Sequence, residues 1–184
     1  MFENLLERIA QSLRNAGIPY MVIGGQAVLL YGEPRLTKDI DITLGADLTR
    51  LQEVLSAVRE MRLMPLVDPA TFTRDTMVLP CSDPETGIRV DLIFSFSPYE
   101  QLAIGRARVV RIGETDVCFA SLEDLLVHKI FAGRARDLED ARIVLLKNPK
   151  ADLAYVRHWL TEFSALVGEH YLERLNRILN PEAV

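Results

Sequence analysis

The sequence predicts an α/β core followed by an all-helical region, and two observations lead to this fold class. Up to residue 120, amphipathic helical patterns alternate with short β-favouring runs. From Ser121 onward, every apolar stretch has helical spacing. The 184 residues suit one compact domain, or one domain with a helical extension. Because no Gly- or Pro-rich linker intervenes, we expect residues 121–184 to pack on a core formed by residues 1–120.

The first elements surround a pair of glycines. Apolar residues at helical spacing predict a helix over residues 2–15. Residues 19–25, PYMVIGG, form a β-favouring run that the two glycines close. Residues 26–32 provide one or two helical turns and end in a glycine. The segment DIDITL, residues 39–44, alternates polar and apolar side chains, which is the period of a half-buried strand.

The remaining segments of the core continue this alternation of helix and strand. They are a helix over 48–63 with Asp47 as its N-cap, a turn cluster over 80–87, a strand over 88–95 and two short strands within 107–120. Residues 66–79 fit neither a helix nor a strand pattern. At the start of the helical region, Ser121 and Asp124 form a capping pattern.

Composition restricts the class of protein. The net charge is −5 and the pI about 5.3, so bulk charge gives no support for nucleic-acid binding. Cys81 and Cys118 lie in no metal-binding spacing, which fits a reducing compartment. No apolar stretch approaches the roughly 20 residues needed to span a bilayer, and the first residues do not resemble a signal peptide. We therefore expect a cytoplasmic protein without a membrane partner.

The segment DIDITL also carries the first chemical signal. Asp39 and Asp41 lie two positions apart on one strand, so both carboxylates project from the same face. Their Cα atoms are then about 6.5 Å apart, a separation that lets two carboxylates converge on one hard cation or straddle two. Asp91, within the apolar run IRVDLIFS, is the natural third carboxylate from a neighbouring strand. Such a set suits Mg²⁺, which binds through a few carboxylates plus substrate phosphates.

Structural roles are the alternative for these residues. Asp39 could cap a backbone group, Asp41 could pair with Lys38 or Arg35, and the paired glycines could serve only a tight turn. Against this, backbone N–H groups at a strand–helix junction bind anions, and glycine lets a phosphate approach closely. A phosphate site, a two-carboxylate strand and a third aspartate in one chain are together more specific than any one of them.

Together, these motifs resemble the signature of the DNA polymerase β-like nucleotidyltransferase superfamily. VIGGQAVLLYGEPRLTKDIDI is similar to its strand, glycine pair, short helix and Asp-x-Asp strand, and RVDLIF is similar to its third-carboxylate strand. The match covers roughly residues 18–95. The resemblance implies a mixed β-sheet flanked by helices, followed here by a C-terminal helical region. One departure is Gly25, because many members have serine there.

The resemblance implies a role for each matching residue. Asp39, Asp41 and Asp91 are the implied catalytic and metal-binding residues for Mg²⁺ or Mn²⁺, and Asp91 would also activate the acceptor hydroxyl. Gly24 and Gly25 would hold a nucleoside triphosphate. The implied enzyme transfers a nucleoside monophosphate to a hydroxyl of RNA such as tRNA, of a protein or of a small molecule. The alternative is a nucleotide-binding regulatory or toxin–antitoxin module without turnover.

Two basic residues just before the Asp-x-Asp strand are further candidates for nucleotide binding. Arg35 and Lys38 could reach a phosphate, although strand alternation places Lys38 on the face opposite Asp39. Minimal nucleotidyltransferases and aminoglycoside-modifying enzymes share the glycine and aspartate motifs, so the core motifs do not separate these groups.

The helical region resembles the AbiEii-type branch of the superfamily, which includes the MenT-type toxins. That branch adds a lysine on one helix and a (Lys/Arg)-Asp-x-x-Asp element on the next. LLVHKIFAGRARDLEDARIV offers Lys129, then Arg136, Asp137 and Asp140. The resemblance implies that Lys129 binds the triphosphate, and it suggests a toxin-like component with an antitoxin protein as partner. The alternative is a set of solvated helical salt bridges, each contributing a few tenths of a kcal/mol, roughly 0.2–0.5.

Overall fold

The computed structural model describes residues 2–34, 36–95 and 97–180. Within these ranges the helices α1–α9 are Phe2–Asn15, Gly24–Tyr31, Leu51–Glu60, Pro69–Thr76, Pro98–Gly105, Leu122–Ala132, Ala135–Lys147, Leu153–Val167 and Tyr171–Leu179. The strands β1–β7 are Tyr20–Ile23, Asp39–Leu44, Met64–Pro65, Val78–Ser82, Arg89–Phe94, Arg108–Ile112 and Thr115–Phe119. Nowhere in the described ranges is a helix both long and apolar enough to span a bilayer.

The strands of the described ranges form one mixed sheet. Their order is β3–β4–β5–β2–β1–β7–β6. β2 runs parallel to β5 and β1 runs parallel to β7, whereas the other neighbours are antiparallel. This mixed sheet, with helices before, between and after its strands, confirms the predicted fold class.

The two central strands β2 and β5 each have one apolar face, and this face explains why both segments are strands. The side chains on it are all fully buried: Ile40, Ile42, Leu44, Val90, Leu92 and Phe94. Burying a side chain of this size contributes about 1.5–3 kcal/mol relative to leaving it exposed. A shift of one residue in the register would turn this whole set toward solvent, so the apolar alternation also determines the register between the strands.

Contacts divide the chain into two compact units. The first consists of Met1–Gln26 and Leu36–Ala120 and holds the whole sheet, and the second consists of Ala27–Arg35 and Ser121–Val184. In the first unit, α1 packs against α3 and β7. In the second, α6 packs against α7, α8 and α9. The predicted domain boundary after residue 120, and the packing of the helical region on the core, stay predictions.

The starts of two predicted helices can be compared with the structure through their capping hydrogen bonds. The helix predicted over 48–63 begins with a 3-10 turn, because the Asp47 side chain accepts a hydrogen bond from the Thr49 N–H. The α-helical part begins only at Leu51. The predicted cap between Ser121 and Asp124 is present, since the Ser121 hydroxyl accepts from the Asp124 N–H at 3.1 Å.

The region around residues 66–87 is the part of the core where the sequence pattern was least informative. The open stretch 66–79 contains α4, which Asp68 caps and which has a proline in its first turn. The turn cluster predicted over 80–87 is wrong for its first residues. Pro80 and Cys81 belong to β4 and pair with β5, since tertiary pairing outweighs the turn preference of proline.

Candidate active site

Strand register brings the three predicted aspartates onto one face of the sheet. Asp41 of β2 is the direct neighbour of Asp91 of β5, and Asp39 is the neighbour of Arg89. Adjacent strands lie about 4.8 Å apart, so Asp41 and Asp91 are side by side. Asp39 lies two positions earlier on the same strand and projects from the same face.

The aspartates do not enter the apolar core that the sequence places around them. The side chains of Asp39, Asp41 and Asp91 are partly exposed, and the Asp91 side chain retains 18% of its accessible surface. The buried apolar residues of β2 and β5 lie on the opposite face. Strand alternation therefore separates the carboxylates from the core and avoids the cost of several kcal/mol, roughly 2–7, that a buried unpaired polar group carries.

Gly24, at the junction of β1 and α2, directly contacts this carboxylate face. Its backbone has φ +61°, a region that glycine adopts without strain. A Cβ atom at this position would lie 2.0 Å from Oδ2 of Asp41, so no larger residue fits without moving that carboxylate. Since β1 runs antiparallel to β2, with Ile23 opposite Asp41, the end of β1 and the start of β2 lie together.

The first turn of α2 provides backbone donors at this junction. The helix begins at Gly24 and Gly25, and the first N–H groups of a helix have no partner within the helix. These groups, together with the partial positive charge of the helix N-terminus, favour anions such as phosphate. Gln26 in the same turn is 6% exposed, and its Nε2 has no hydrogen-bond partner among the described residues. A polar ligand could satisfy this amide.

Of the residues just before β2, one contacts the carboxylate face and one is exposed to solvent. The Thr37 hydroxyl donates to Oδ1 of Asp39 at 3.0 Å, so a hydroxyl holds the first carboxylate. Lys38 is exposed, and its role in phosphate binding stays a prediction. Arg35 lies outside the described residues, so its predicted role also stays a prediction.

Arg89 is the basic residue on the carboxylate face of β5. Its Nε donates to both carboxylate oxygens of Asp91, at 2.8 and 3.1 Å. The hydrogen bond to Asp91 is the main cause that raises the pKa of Arg89 above its usual value, and the charge of Asp91 adds to it. The charges of Asp39 and Asp41 raise this pKa further. All three carboxylates therefore attract one guanidinium.

The donor chemistry of this face suits a hard divalent cation, but the side-chain conformations do not yet form such a site. Three carboxylates on adjacent strands are the oxygen ligands that Mg²⁺ prefers. However, no group of three His, Cys, Asp or Glu side chains in the described part of the chain is arranged to hold a metal ion. Arg89 holds Asp91 and Thr37 holds Asp39 in their present conformations. Any cation binding at this face therefore requires these side chains to turn.

A second cluster of charges lies within the second unit. Lys129 of α6 donates to Asp137 at 2.8 Å and to Asp140 at 2.9 Å, both on α7. The three side chains are only 7%, 4% and 6% exposed, respectively. Arg134 also pairs with Asp137. The salt bridges of the predicted alternative are therefore present, but the prediction that they are solvated is wrong, because Lys129, Asp137 and Asp140 are buried.

The buried network favours a structural role for the Lys129 cluster. Burial by itself would raise the pKa of Asp137, but hydrogen bonds from Arg134 and Lys129 outweigh it and lower the pKa below its usual value. Arg136, the predicted basic residue of the (Lys/Arg)-Asp-x-x-Asp element, is exposed. The binding of triphosphate by Lys129, and any role of Arg136 and Asp140 in it, stay predictions.

Two residues of the site were missed by the sequence interpretation, although both left a signal. Arg89 lies two positions before Asp91, just as Asp39 lies two positions before Asp41, so strand alternation alone places Arg89 on the carboxylate face. Thr37 lies two positions before Asp39, and the alternation that places Lys38 on the opposite face places Thr37 on the face of Asp39.

A family model matches almost the whole chain. The model described as "Nucleotidyl transferase of unknown function (DUF2204)" matches residues 2–180. The chain belongs to this nucleotidyltransferase family. The predicted superfamily is thus confirmed, whereas the predicted AbiEii-type branch stays a prediction. No curated protein sequence matches the chain.

Solved structures support the same fold for this nucleotidyltransferase family member. The antibiotic-resistance factor ANT(2'')-Ia has a TM-score of 0.59 and 17% identity, over 90% of this chain and 94% of the other. An antigenic nucleotidyltransferase-like protein from Paracoccidioides brasiliensis has a TM-score of 0.57 and 17% identity, over 90% and 88%. The lincosamide antibiotic adenylyltransferase LnuA has a TM-score of 0.53 and 16% identity, over 77% and 94%. At these identities the similarity establishes the fold.

Proposed function

We propose that this protein is a metal-dependent nucleotidyltransferase that transfers a nucleoside monophosphate from a nucleoside triphosphate to an acceptor hydroxyl. The observation that carries the proposal is the register between β2 and β5. It aligns Asp41 with Asp91 and leaves Asp39 on the same face, and Gly24 at the start of α2 lies against Asp41. Membership of a nucleotidyltransferase family supports the same reaction.

The three aspartates have distinct proposed roles. Asp39 and Asp41 would hold Mg²⁺ or Mn²⁺, and such a cation neutralises the charge that develops on phosphate oxygens during phosphoryl transfer. Asp91 orients the acceptor hydroxyl and accepts its proton, a role that requires the carboxylate to be ionised and in reach of solvent or substrate. Its partial exposure is consistent with this role.

The reaction is a substitution at the α-phosphorus. A bond forms between the acceptor oxygen and the α-phosphorus, and the bond from this phosphorus to the oxygen that bridges to the β-phosphate breaks. The leaving pyrophosphate takes the electron pair, and the hydroxyl proton moves to Asp91. The backbone N–H groups of Gly24 and Gly25 would bind oxygens of the triphosphate at the start of α2.

Side chains outside this face have weaker support. Lys38 and Arg35 are proposed phosphate contacts on their sequence positions alone. Lys129 would have to leave two buried carboxylates before it could bind a phosphate, so we favour its structural role. A toxin-like function and an antitoxin partner are supported by the resemblance of the helical region to the AbiEii-type branch.

The acceptor is proposed only as a class, which is a hydroxyl on RNA, on a protein or on a small molecule. Two structures with the same fold are those of the antibiotic-resistance factor ANT(2'')-Ia in complex with adenylyl-2''-tobramycin and of the lincosamide antibiotic adenylyltransferase LnuA with lincomycin bound. Tobramycin and lincomycin are therefore direct probes for the small-molecule class. Total RNA and protein from a cell extract are the probes for the other two.

The experiment that tests the proposal is transfer of label from each α-labelled nucleoside triphosphate, with Mg²⁺ and the four acceptor preparations. We expect label on one acceptor class, together with pyrophosphate release. The transfer should vanish in Asp41→Asn and persist in Asp116→Asn. Asp116 is the matched control, because it is an exposed aspartate on β7 in the same unit.

Other outcomes would separate the alternatives. Cation-dependent binding of a triphosphate without transfer to any acceptor would favour the binding module without turnover. Equal transfer by wild type and Asp41→Asn would contradict the proposed site. If triphosphate causes no thermal stabilisation, with or without Mg²⁺, the protein does not bind nucleotide and both alternatives are wrong.

A further inference from the structure

Arg89 lies against Asp91, and its side chain must move if the proposed reaction is to use that carboxylate. Its Nε makes both hydrogen bonds to Asp91, the carboxylate proposed to accept the proton of the acceptor. While both of its oxygens accept hydrogen bonds from a guanidinium, a carboxylate has fewer lone pairs available to a cation or an acceptor hydroxyl. The Arg89 side chain is 55% exposed, so it has room to turn away into solvent.

The charges around Arg89 explain why its guanidinium lies against this face. Within the fully described strands β2 and β5, the charged residues of the shared face are three aspartates and one arginine. Like charges on neighbouring strand positions repel each other, so a guanidinium on this face is favourable. The charges of Asp39 and Asp41 both act on the Arg89 guanidinium, in addition to its contact with Asp91.

We propose that Arg89 is an internal counter-ion of this carboxylate face and competes with the divalent cation for Asp91. This inference rests on the proposed function of the site. A guanidinium and a divalent cation repel each other strongly when both lie against the same carboxylates. Cation binding therefore requires Arg89 to release Asp91, and the position of Arg89 weakens cation binding when no nucleotide is present.

The released guanidinium has a suitable second partner. Its planar fork of N–H donors matches the oxygens of phosphate groups. A bound triphosphate would attract Arg89 away from Asp91, and the carboxylate would become available to the cation. Nucleotide and cation then favour each other's binding, and linkage makes this coupling equal in both directions. Arg89 thus makes the site bind the cation together with the substrate rather than alone.

The test is Mn²⁺ binding, measured as the loss of the free-ion signal in electron paramagnetic resonance, with and without a non-hydrolysable triphosphate analogue. Arg89→Gln removes the charge and keeps a polar side chain, whereas Arg89→Lys keeps the charge. The matched control is Arg111→Gln. Arg111 is a strand arginine of the same unit with 56% side-chain exposure, and it is likewise paired with an aspartate, Asp116.

We expect Arg89→Gln to bind Mn²⁺ alone about tenfold more tightly than wild type, the scale on which partners of metal ligands change metal affinity. The analogue should raise the Mn²⁺ affinity of wild type but have a smaller effect on Arg89→Gln. Arg89→Lys should stay close to wild type because it retains the positive charge. Arg111→Gln should match wild type in both conditions.

The results that overturn the inference are distinct from those that overturn the proposed function. If wild type binds Mn²⁺ and Arg89→Gln binds it equally or more weakly, Arg89 holds Asp91 in place and does not compete, while the proposed site stands. If neither wild type nor Arg89→Gln binds Mn²⁺ with or without the analogue, both proposals fail. Circular dichroism of each variant checks that the exposed substitution leaves the fold intact.

Discussion

Two clusters of aspartates, one in each unit, use the same chemical groups in opposite ways. Asp39, Asp41 and Asp91 lie on a partly exposed sheet face, where the half-exposed side chain of Arg89 pairs with Asp91. Asp137 and Asp140 are buried between α6 and α7, where Lys129 donates to both. Among the residues of β2 and β5, the face of the first cluster carries three carboxylates and one guanidinium, whereas Lys129 and Arg134 pair with the carboxylates of the second.

This difference supports the first cluster as the proposed ligand site and the second as a structural cluster. An excess of carboxylates next to solvent repels itself and gains from an added cation. A balanced buried network gains nothing from one, and loss of any partner leaves a charge in a medium that solvates it poorly. Burial and charge balance therefore separate a structural cluster from a functional one, although both appear in the sequence as closely spaced aspartates.

The largest effect is expected from removal of the lysine of the buried cluster, which tests its structural role. Lys129→Met keeps most of the side-chain volume but leaves two buried carboxylates without their ammonium. We expect a loss of about 3–5 kcal/mol in the free energy of unfolding, measured by urea denaturation. Arg142→Ala is the control, since Arg142 pairs with Glu139 on the exposed face of α7 and should cost no more than about 1 kcal/mol. Equal losses in both variants would contradict the structural role.

A substitution at Gly24 tests the functional cluster through its backbone. Both Gly24→Ala and Gly17→Ala place a side chain at φ +61°, and each should cost about 1–2 kcal/mol of stability. Only at Gly24 does the new Cβ meet Asp41, whereas nothing lies within 4 Å of a Cβ at Gly17. We therefore expect Gly24→Ala alone to weaken Mn²⁺ binding, as measured by paramagnetic resonance. Unchanged binding in Gly24→Ala would show that Asp41 does not need this position.

The pH dependence of stability tests whether the ionised carboxylate of Asp137 stabilises the buried cluster. The pKa of Asp137 is lowered in the folded chain relative to about 3.9 in the unfolded chain. Its ionised carboxylate therefore stabilises the fold above about pH 4, and this contribution is lost as the pH falls through the lowered pKa. In urea denaturation from pH 7 to acid, wild type should exceed Asp137→Asn at neutral pH, and the difference should shrink below pH 4. A difference that is constant with pH would contradict the assignment.

The smallest effect concerns the stability of the functional cluster itself. Asp39→Asn removes one of three like charges and keeps an acceptor for the Thr37 hydroxyl. We expect the free energy of unfolding to stay constant or to rise by a few tenths of a kcal/mol, up to roughly 0.5, opposite in sign to the effect of Asp137→Asn. Thermal denaturation without added cation measures it. A clear loss of stability would mean that Asp39 has a structural partner instead.

Sequence patterns were sufficient for most of the first unit because they are local. The alternation in DIDITL determined that Asp39 and Asp41 share a face and that Ile40 and Ile42 face the core. The stretch PCS at the start of the predicted turn cluster failed for a related reason. Its proline and serine favour turns locally, but the partner strand β5 supplies the pairing that decides its structure.

The sequence by itself thus determined the strands β1, β2 and β5, the faces of their side chains and the candidate carboxylates, because side-chain direction follows from the period of each element. Only the tertiary structure decided that Asp41 lies beside Asp91, that Arg89 binds Asp91, and that Lys129 is buried with two aspartates. These contacts join residues from different strands and helices, or depend on which rotamer a charged side chain adopts. Register and burial depend on residues that are distant in the sequence, so the local period of a strand or helix does not determine them.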